Sequence, residues 1–307
     1  MKSWTSSDIP DQSGRTAVVT GANSGLGYVT ARELARRGAR VVLACRDAAR
    51  GKAAEERLRA EAPGADVMLA ELDLADLSSV RAFAAGFPGD RLDLLVNNAG
   101  VMALPERKTV DGFEMQFGTN HLGHFALTGL LLPLLKETGH GARIVTVSSA
   151  LHFLGTVDPR DLNMEHRYRR WIAYGRSKSA NLLFTHELAR RLTAVGSPVV
   201  AAAAHPGYAA TNLQTAGVRM EERDVAEQFV RLLNRAFAQS AEDGALPALY
   251  AATAPEVRQD DFFGPRAVMM RGAPARSVRA AWTRDGTAAA GLWAVSERMT
   301  GVRYGWV

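Results

Sequence analysis

Short runs of β-branched and apolar residues alternate with longer amphipathic stretches along most of the chain. TAVVT (16–20) reads as a strand, followed by a helix over 26–37. RVVLA (40–44) reads as the second strand, with a charged helix over 48–61 after it. DVMLAEL (66–72), LDLLVN (92–97), ARIVTVS (142–148) and PVVAAAA (198–204) continue the strand series, with helix-length segments between them. These strands are almost continuously apolar, as expected when helices cover both faces of a parallel sheet. The regular alternation predicts an α/β fold: a doubly wound parallel sheet with right-handed crossovers. No repeat or low-complexity linker divides the chain, so one domain is expected over residues 1–307. It would carry an N-terminal arm (1–14) and a C-terminal extension from about 255, where a polar loop leads into a closing helix.

With 307 residues, 47% of them hydrophobic, the chain can bury a large core. It has no apolar run of eighteen residues and its first residues lack a secretory signal, so a cytoplasmic protein without membrane insertion is expected. A single cysteine, Cys45, excludes an internal disulfide framework and a cysteine-based zinc cluster, and suits a reducing compartment. The net charge of +5 raises the question of nucleic acid. Basic residues are interspersed with acids, as in ERLRAE and ERDVAEQ, which reads as solvated helix surface, so no nucleic-acid partner is expected. Only five of the 37 basic residues are lysines, which gives weight to a lysine inside a chemical motif. The alanine- and arginine-rich composition suggests a GC-rich bacterial genome.

TGANSGLG (20–27) follows the first strand and opens the first helix, the context that makes a glycine motif informative. Gly21 permits a tight turn, Gly25 lets the backbone approach a pyrophosphate, and Gly27 allows close helix–strand packing. Asn23, Ser24 and Leu26 belong to the same loop. The spacing is G-x-x-x-G-x-G, and a plain glycine-rich turn is the alternative. The second strand ends Ala44-Cys45-Arg46-Asp47, with no carboxylate at its tip for a ribose 2′-hydroxyl. Arg46 can instead fork onto a 2′-phosphate, which favours NADP(H) over NAD(H); a solvated arginine is the alternative. Asp47 is expected to cap the following helix. Asp73, followed by Leu74, can accept from an adenine amino group or cap a helix. NNAG (97–100), with Asn98, Ala99 and Gly100, can bring backbone and amide groups against a cofactor or stabilise the sheet edge.

Tyr174 and Lys178 stand four apart in YGRSK at the start of a helical pattern, which puts both side chains on one face. A free tyrosine, with a pKa near 10, is a poor base. A neighbouring ammonium and a positively charged nicotinamide both favour phenolate, so the pKa is expected to fall and the tyrosine to become a workable acid–base. Ser148 and Ser149 end ARIVTVSS at the carboxyl edge of the sheet, where open α/β folds bind ligands. One of the two can donate to a developing alkoxide, while the other satisfies loop backbone.

TGANSGLG, NNAG, the serine after the fifth strand and YGRSK together resemble the short-chain dehydrogenase/reductase family, a Rossmann-like fold. The chain looks like the branch that contains retinol dehydrogenases and the WW-domain-containing oxidoreductase. The resemblance implies an NADP(H)-dependent oxidoreductase moving a hydride between nicotinamide and a carbonyl or alcohol. It implies Tyr174 as the acid–base, and Lys178 as the residue that holds the nicotinamide ribose. Ser149 would orient the substrate oxygen and Asn120, in TNHLGHF, would support a water-linked proton relay. His205, Pro206, Gly207 and Thr211, in HPGYAATNL, match the segment around the carboxamide. Family members usually pair through helices around 113–136 and 174–195, so a homodimer or homotetramer is implied. Ser149 and Tyr174 are 25 positions apart, a long insert shared with the retinol-dehydrogenase-like branch. Its His152, Phe153, His166, Tyr168 and Trp171 suit either a pocket rim or an ordinary surface loop with aromatic anchors.

His121 and His124 lack a third ligand at suitable spacing, so they read as structural histidines and no metal is expected. Cys45 reads as a small buried hydrophobe. Trp282, Trp293 and Trp306 read as packing residues of the C-terminal extension, and residues 130–135 as helix core or a dimer face. The pocket is expected to draw on the 150–172 insert and on the segment from Tyr208 to about Gln239. In that segment Leu213, Val218, Met220, Phe229, Leu232 and Phe237 suit an apolar lining, or equally a helix core. A medium-to-large, largely apolar substrate follows. A non-catalytic NADP(H)-sensing protein would carry a broken Tyr/Lys pair. An adenosylmethionine-dependent methyltransferase would want an acid at the second strand tip.

Overall fold

A computed structural model describes residues 3–139, 141–207 and 239–306. Thr211 and the proposed pocket residues Tyr208, Leu213, Val218, Met220, Phe229, Leu232 and Phe237 lie outside the described residues.

Eight strands form one sheet: β1 (Thr16–Thr20), β2 (Arg40–Cys45), β3 (Val67–Glu71), β4 (Leu94–Asn97), β5 (Arg143–Val147), β6 (Val200–Ala204), β7 (Phe262–Ala267) and β8 (Arg271–Arg276). Their order is β3-β2-β1-β4-β5-β6-β7-β8. The pairs from β3 to β7 are parallel and β8 returns antiparallel, which is the doubly wound arrangement. The helices are α1 (Gly25–Arg36), α2 (Ala48–Glu61), α3 (Leu77–Ala85), the single turn α4 (Met115–Phe117), α5 (Gly123–Thr138), α6 (Arg170–Ala194), α7 (Ala241–Thr253) and α8 (Gly286–Thr300).

Alternate strand residues serve different cores. Ala17, Val19, Leu43, Leu94 and Val96 pack with Tyr28 and Leu34 of α1, Leu58 of α2 and Leu249 of α7. Val18, Val42 and Leu95 pack on the other face with Phe83 of α3, Phe125 and Leu131 of α5, and Leu188 of α6. Burial on both faces explains why these strands read as unbroken apolar runs. β6 is mostly alanine, a poor strand former. It holds because α7 comes close on one side, with Ala248, Ala251 and Ala252 against Ala202 and Ala204. Leu182 of α6 meets Ala203.

The expected elements form with small shifts at their ends, and Asp47 caps α2 by accepting from the Arg50 N–H at 2.9 Å. Several charges of α2 lie in ion pairs such as Arg57–Glu61 (2.7 Å) and Lys52 with the buried Glu55 (2.9 Å). The region beyond 255 holds more than the loop and closing helix the pattern suggests, because it contributes β7 and β8 to the sheet. Pro265 and Pro274, paired across the hairpin, obscure that strand signal. Prolines are tolerated at a sheet edge, and β8 is the edge strand.

Trp293 of α8 packs among Phe125, Phe184 and Tyr304, with ring centroids 5.0, 5.9 and 4.5 Å away. The Tyr304 hydroxyl donates to the Phe125 carbonyl at 2.7 Å. Leu131, Leu132 and Leu135 are buried, so that stretch of α5 is helix core. Ala289 and Leu292 of α8 pack against Ala180 and Leu183 of α6, covering part of the face through which family resemblance implies pairing. No helix among the described residues is long and apolar enough to cross a membrane.

His121 and His124 serve the interior. His121 Nε2 bonds Ser296 Oγ at 2.9 Å, and His124 joins the Asn120 carbonyl (3.0 Å) to Thr20 Oγ1 (2.9 Å). Burial lowers their pKa values to about 3 and about 4, and that of His205 to about 3. The unfolded chain therefore binds protons that the folded chain refuses. The stability these neutral imidazoles carry is complete above pH 6.5 and is lost as the pH falls from there towards 4. Each histidine should cost roughly 1 kcal/mol per pH unit over that range. Urea midpoints at pH 7.5 and 5.5 should differ accordingly, and equal midpoints would contradict the assignment.

Candidate active site

The glycine-rich turn lies between β1 and α1. Gly21 has φ +66° and Gly25 φ +54°, the left-handed region where glycine is at ease. At Gly27 a Cβ would stand 2.4 Å from the Gly21 carbonyl oxygen and 2.5 Å from Asn98 Nδ2, so only glycine fits. Asn98 in turn donates from Nδ2 to the Thr20 carbonyl at 2.8 Å. Thr20 Oγ1 accepts from the Asn98 and Ala99 N–H groups, each at 2.9 Å. The NNAG turn is thus locked to the end of β1.

A cleft of about 560 Å³ opens over this turn. Its wall includes Gly21, Asn23, Ser24, Gly25, Leu26, Gly27, Arg46, Asp73, Leu74, Asn98, Ala99 and Gly100, all of them expected from the sequence. It also includes Arg50, Val101 and Thr119, which sequence reasoning passed over. Arg46 and Arg50 are exposed, and neither guanidinium makes a hydrogen bond or ion pair among the described residues. Their four-residue spacing was the available signal for Arg50. Asp73 does not cap α3: its Oδ1 accepts from the Ala75 N–H at 2.9 Å, while Asp76 caps the helix. Pro206 and Gly207 follow β6, where Gly207 (φ +68°) tucks under the β7–β8 hairpin beside the Met270 carbonyl.

Ser148 and Ser149 divide their work. Ser148 is buried and donates to the Lys178 carbonyl at 2.8 Å. Ser149 accepts from the Leu151 N–H at 3.1 Å and lies near enough to Tyr174 to act on its pKa. Tyr174 and Lys178, one turn apart on α6, are 4% and 3% exposed. Lys178 Nζ donates to the Val147 carbonyl at 3.0 Å and lies 5.7 Å from the Tyr174 ring centroid. Asn120 sits in a π turn, Gly118–Leu122, between α4 and α5. Its Oδ1 accepts from the Val101 N–H at 2.8 Å, and its Nδ2 donates to the Val101 carbonyl and to Ser177 Oγ, each at 2.9 Å. Gly100 connects the two halves of the site. A Cβ there would be 3.1 Å from Asn120 Oδ1 and 3.5 Å from Lys178 Nζ, so the cleft ends against these groups.

The protein's own surroundings act on both groups of the pair, before any nicotinamide charge is added. Burial pushes the Tyr174 phenol up to about 12, outweighing the Ser149 hydrogen bond that lowers it. Burial also brings Lys178 down to about 8. In a dry pocket the desolvation of each charged form is the dominant cause.

The 150–172 insert is anchored rather than loose. The Tyr168 hydroxyl donates to the Leu104 carbonyl at 3.0 Å and accepts from Gln116 Nε2 at 2.8 Å. His152 is fully buried, while Phe153 and Trp171 are exposed and His166 is on the surface.

A parallel sheet with a glycine turn at its switch point, and a Ser–Tyr–Lys–Asn group at the cleft's end, define a nicotinamide-dependent oxidoreductase class. The model of the short chain dehydrogenase family matches residues 15–222, and the chain belongs to that short-chain dehydrogenase/reductase family. Its similarities lie in the retinol-dehydrogenase-like branch. The chain is 43% identical to mouse (Mus musculus) retinol dehydrogenase 14 over 311 residues, covering 94% of this chain and 86% of that protein. It is 47% identical to mouse polyprenol dehydrogenase over 255 residues, covering 81% and 74%. A crystal structure of an uncharacterised Mycobacterium paratuberculosis protein superposes with a TM-score of 0.83 at 48% identity, covering 99% of this chain and 100% of that one.

Replacing Gly27 by alanine should destabilise the fold by about 1–3 kcal/mol, because the added methyl meets the Gly21 backbone as well as the hydrogen-bonded Asn98 amide. A urea midpoint unchanged from the parent would show that the turn can yield.

Proposed function

We propose that this oxidoreductase uses NADP(H) and interconverts a largely apolar alcohol with its aldehyde or ketone, with Tyr174 as the acid–base. The observation that carries the reading is the meeting of the cleft, at Gly100, with Asn120 and with Lys178, whose helix also holds Tyr174. When bound, the nicotinamide supplies or receives the hydride.

Arg46, just past β2, and Arg50, in the first turn of α2, supply two guanidiniums unpaired among the described residues, the chemistry that suits a 2′-phosphate. The glycine turn and the N-terminus of α1 receive the pyrophosphate. Asp73 and Leu74 flank the adenine end, and Asn98, Ala99 and Gly100 line the path towards the nicotinamide. Pro206, Gly207 and Thr211 serve the carboxamide end. Lys178 has spent one of three N–H donors on Val147, which leaves two for the ribose hydroxyls. A phenol held near 12 is protonated at neutral pH, ready to deliver its proton to a carbonyl oxygen that Ser149 holds. In the oxidative direction the positive charge brought by the oxidised nicotinamide favours the phenolate. Asn120 holds the π turn against Val101 and serves the proton path behind Lys178.

The substrate class follows from the relatives named for retinol and polyprenol, both long isoprenoid alcohols, so an isoprenoid alcohol or its aldehyde is the first choice.

Fluorescence titration should show NADPH binding more tightly than NADH, and binding of neither would overturn the cofactor reading. Arg46→Asp should shift that preference towards NADH by at least about tenfold; an unchanged ratio removes Arg46 from the phosphate site. Tyr174→Phe should leave NADPH affinity nearly intact and cut turnover by about 10²–10⁴-fold, so substantial residual activity would refute the acid–base role.

A further inference from the structure

We propose that His152 is a positioning residue: a neutral imidazole that fixes Ser149, and through it Tyr174, by clamping the end of β5 to the C-terminal region. This rests on the acid–base reading of Tyr174 given above.

The hydrogen bonds define the tautomer. His152 Nε2 accepts from the Ala280 N–H at 3.1 Å. A neutral ring that accepts at Nε2 carries its proton on Nδ1. Nδ1–H therefore donates to the Ser149 carbonyl, 2.6 Å away. The ring is fully buried, 4.1 Å centroid to centroid from Phe153 and edge-on to Phe262 at 5.9 Å. The backbone of the same residue is also held, since Ser179 Oγ, next to Lys178 on α6, lies 2.9 Å from the His152 carbonyl. Ser149, the neighbour that acts on the Tyr174 phenol, is thereby held from two directions: by His152 at its carbonyl and by Leu151 at its hydroxyl.

The far end of the clamp is rigid too. Arg279, preceding Ala280, forks onto Asp260, with Nη1–Oδ1 at 2.8 Å and a second bond from Nη2 to Oδ2. Asp260 also takes His186 Nδ1 at 2.7 Å. A second proton on His152 would set Nε2–H against the Ala280 N–H and break the clamp. Burial and Arg279 oppose that proton, while the Ser149 carbonyl favours it. An apolar ring of similar size would fill the same space, but it would leave the Ser149 carbonyl and the Ala280 N–H without partners.

Two variants separate positioning from packing, with NADPH and all-trans-retinal as the assay pair. His152→Phe should lower kcat at least about tenfold while the NADPH dissociation constant stays within about threefold of the parent. His152→Gln, whose amide can donate to Ser149 and accept from Ala280, should restore most of that kcat. It should also remove the acid limb of the kcat–pH profile that protonation of His152 imposes. Unchanged kcat in His152→Phe would overturn the proposal. So would a glutamine variant that loses turnover, NADPH affinity and thermal stability together. Nitrogen-15 NMR of the parent protein, with the signal identified by its loss in His152→Gln, should show neutral Nδ1–H imidazole at pH 7. An Nε2–H tautomer or an imidazolium there would overturn the proposal whatever the substrate proves to be. Tyr174→Phe in the same assay isolates the underlying reading: full activity in that variant refutes the acid–base role, while the NMR tautomer still decides the bonds of His152.

Discussion

Burying the Lys178 ammonium is the constraint around which the site is arranged. A charge removed from water must find hydrogen-bonding partners or lose its proton. Lys178 does part of each: its Nζ bonds the Val147 carbonyl at the end of β5, and its pKa falls to about 8. The Val147 carbonyl also accepts from Asn181 Nδ2 at 3.1 Å, so two side chains of α6 are tied to one strand end. Ser148 closes the junction from the other side by donating to the Lys178 carbonyl. Strand β5 and helix α6 are consequently locked in register, and Tyr174, one turn away, has little freedom to leave Ser149.

The same economy links the cofactor side of the cleft. Thr20 Oγ1 sits between the NNAG turn and His124, and His124 bonds the Asn120 carbonyl in the π turn. An interruption of the α-helical ladder lets Asn120 turn towards Val101, and π turns are often found at functional positions. The neutral state of His124 belongs to this arrangement, because burial and the nearby Lys178 charge both oppose protonation. Thr20, His124, Asn120 and Ser177 therefore form one hydrogen-bonded chain running from β1 to α6 rather than a set of isolated contacts.

Much of this was legible beforehand, and the exceptions have physical causes. Gly21, Gly27, Asn98 and Gly100 could be found because steric closeness admits few residue types, so the motif survives in one dimension. Tyr174 and Lys178 could be found because helical spacing alone places them on one face. Ser149 could be separated from Ser148 only through the family resemblance, since the residues alone do not say which hydroxyl is taken up by the Lys178 carbonyl. Arg50 was overlooked because an arginine in a charged helix looks like surface until the cleft is formed beside it. The strands β7 and β8 were hidden by prolines that only an edge position makes acceptable.

The sequence by itself determined the alternation of strands and helices, the glycine turn at the first crossover and the Tyr–Lys spacing. Each follows from local periodicity or from a backbone conformation that few residues can take. Only the tertiary structure decided the electrostatics and the partnerships. Tyr174 is driven to about 12 rather than lowered, because desolvation depends on what surrounds the ring and not on what stands four residues away. His152 meets Ala280 across 128 positions of chain, and Trp293 of α8 meets Phe125 of α5, contacts that no local pattern encodes. Those long-range meetings are made when the C-terminal region folds back over the sheet, and that docking, not the motif, completes the environment in which the motif can work.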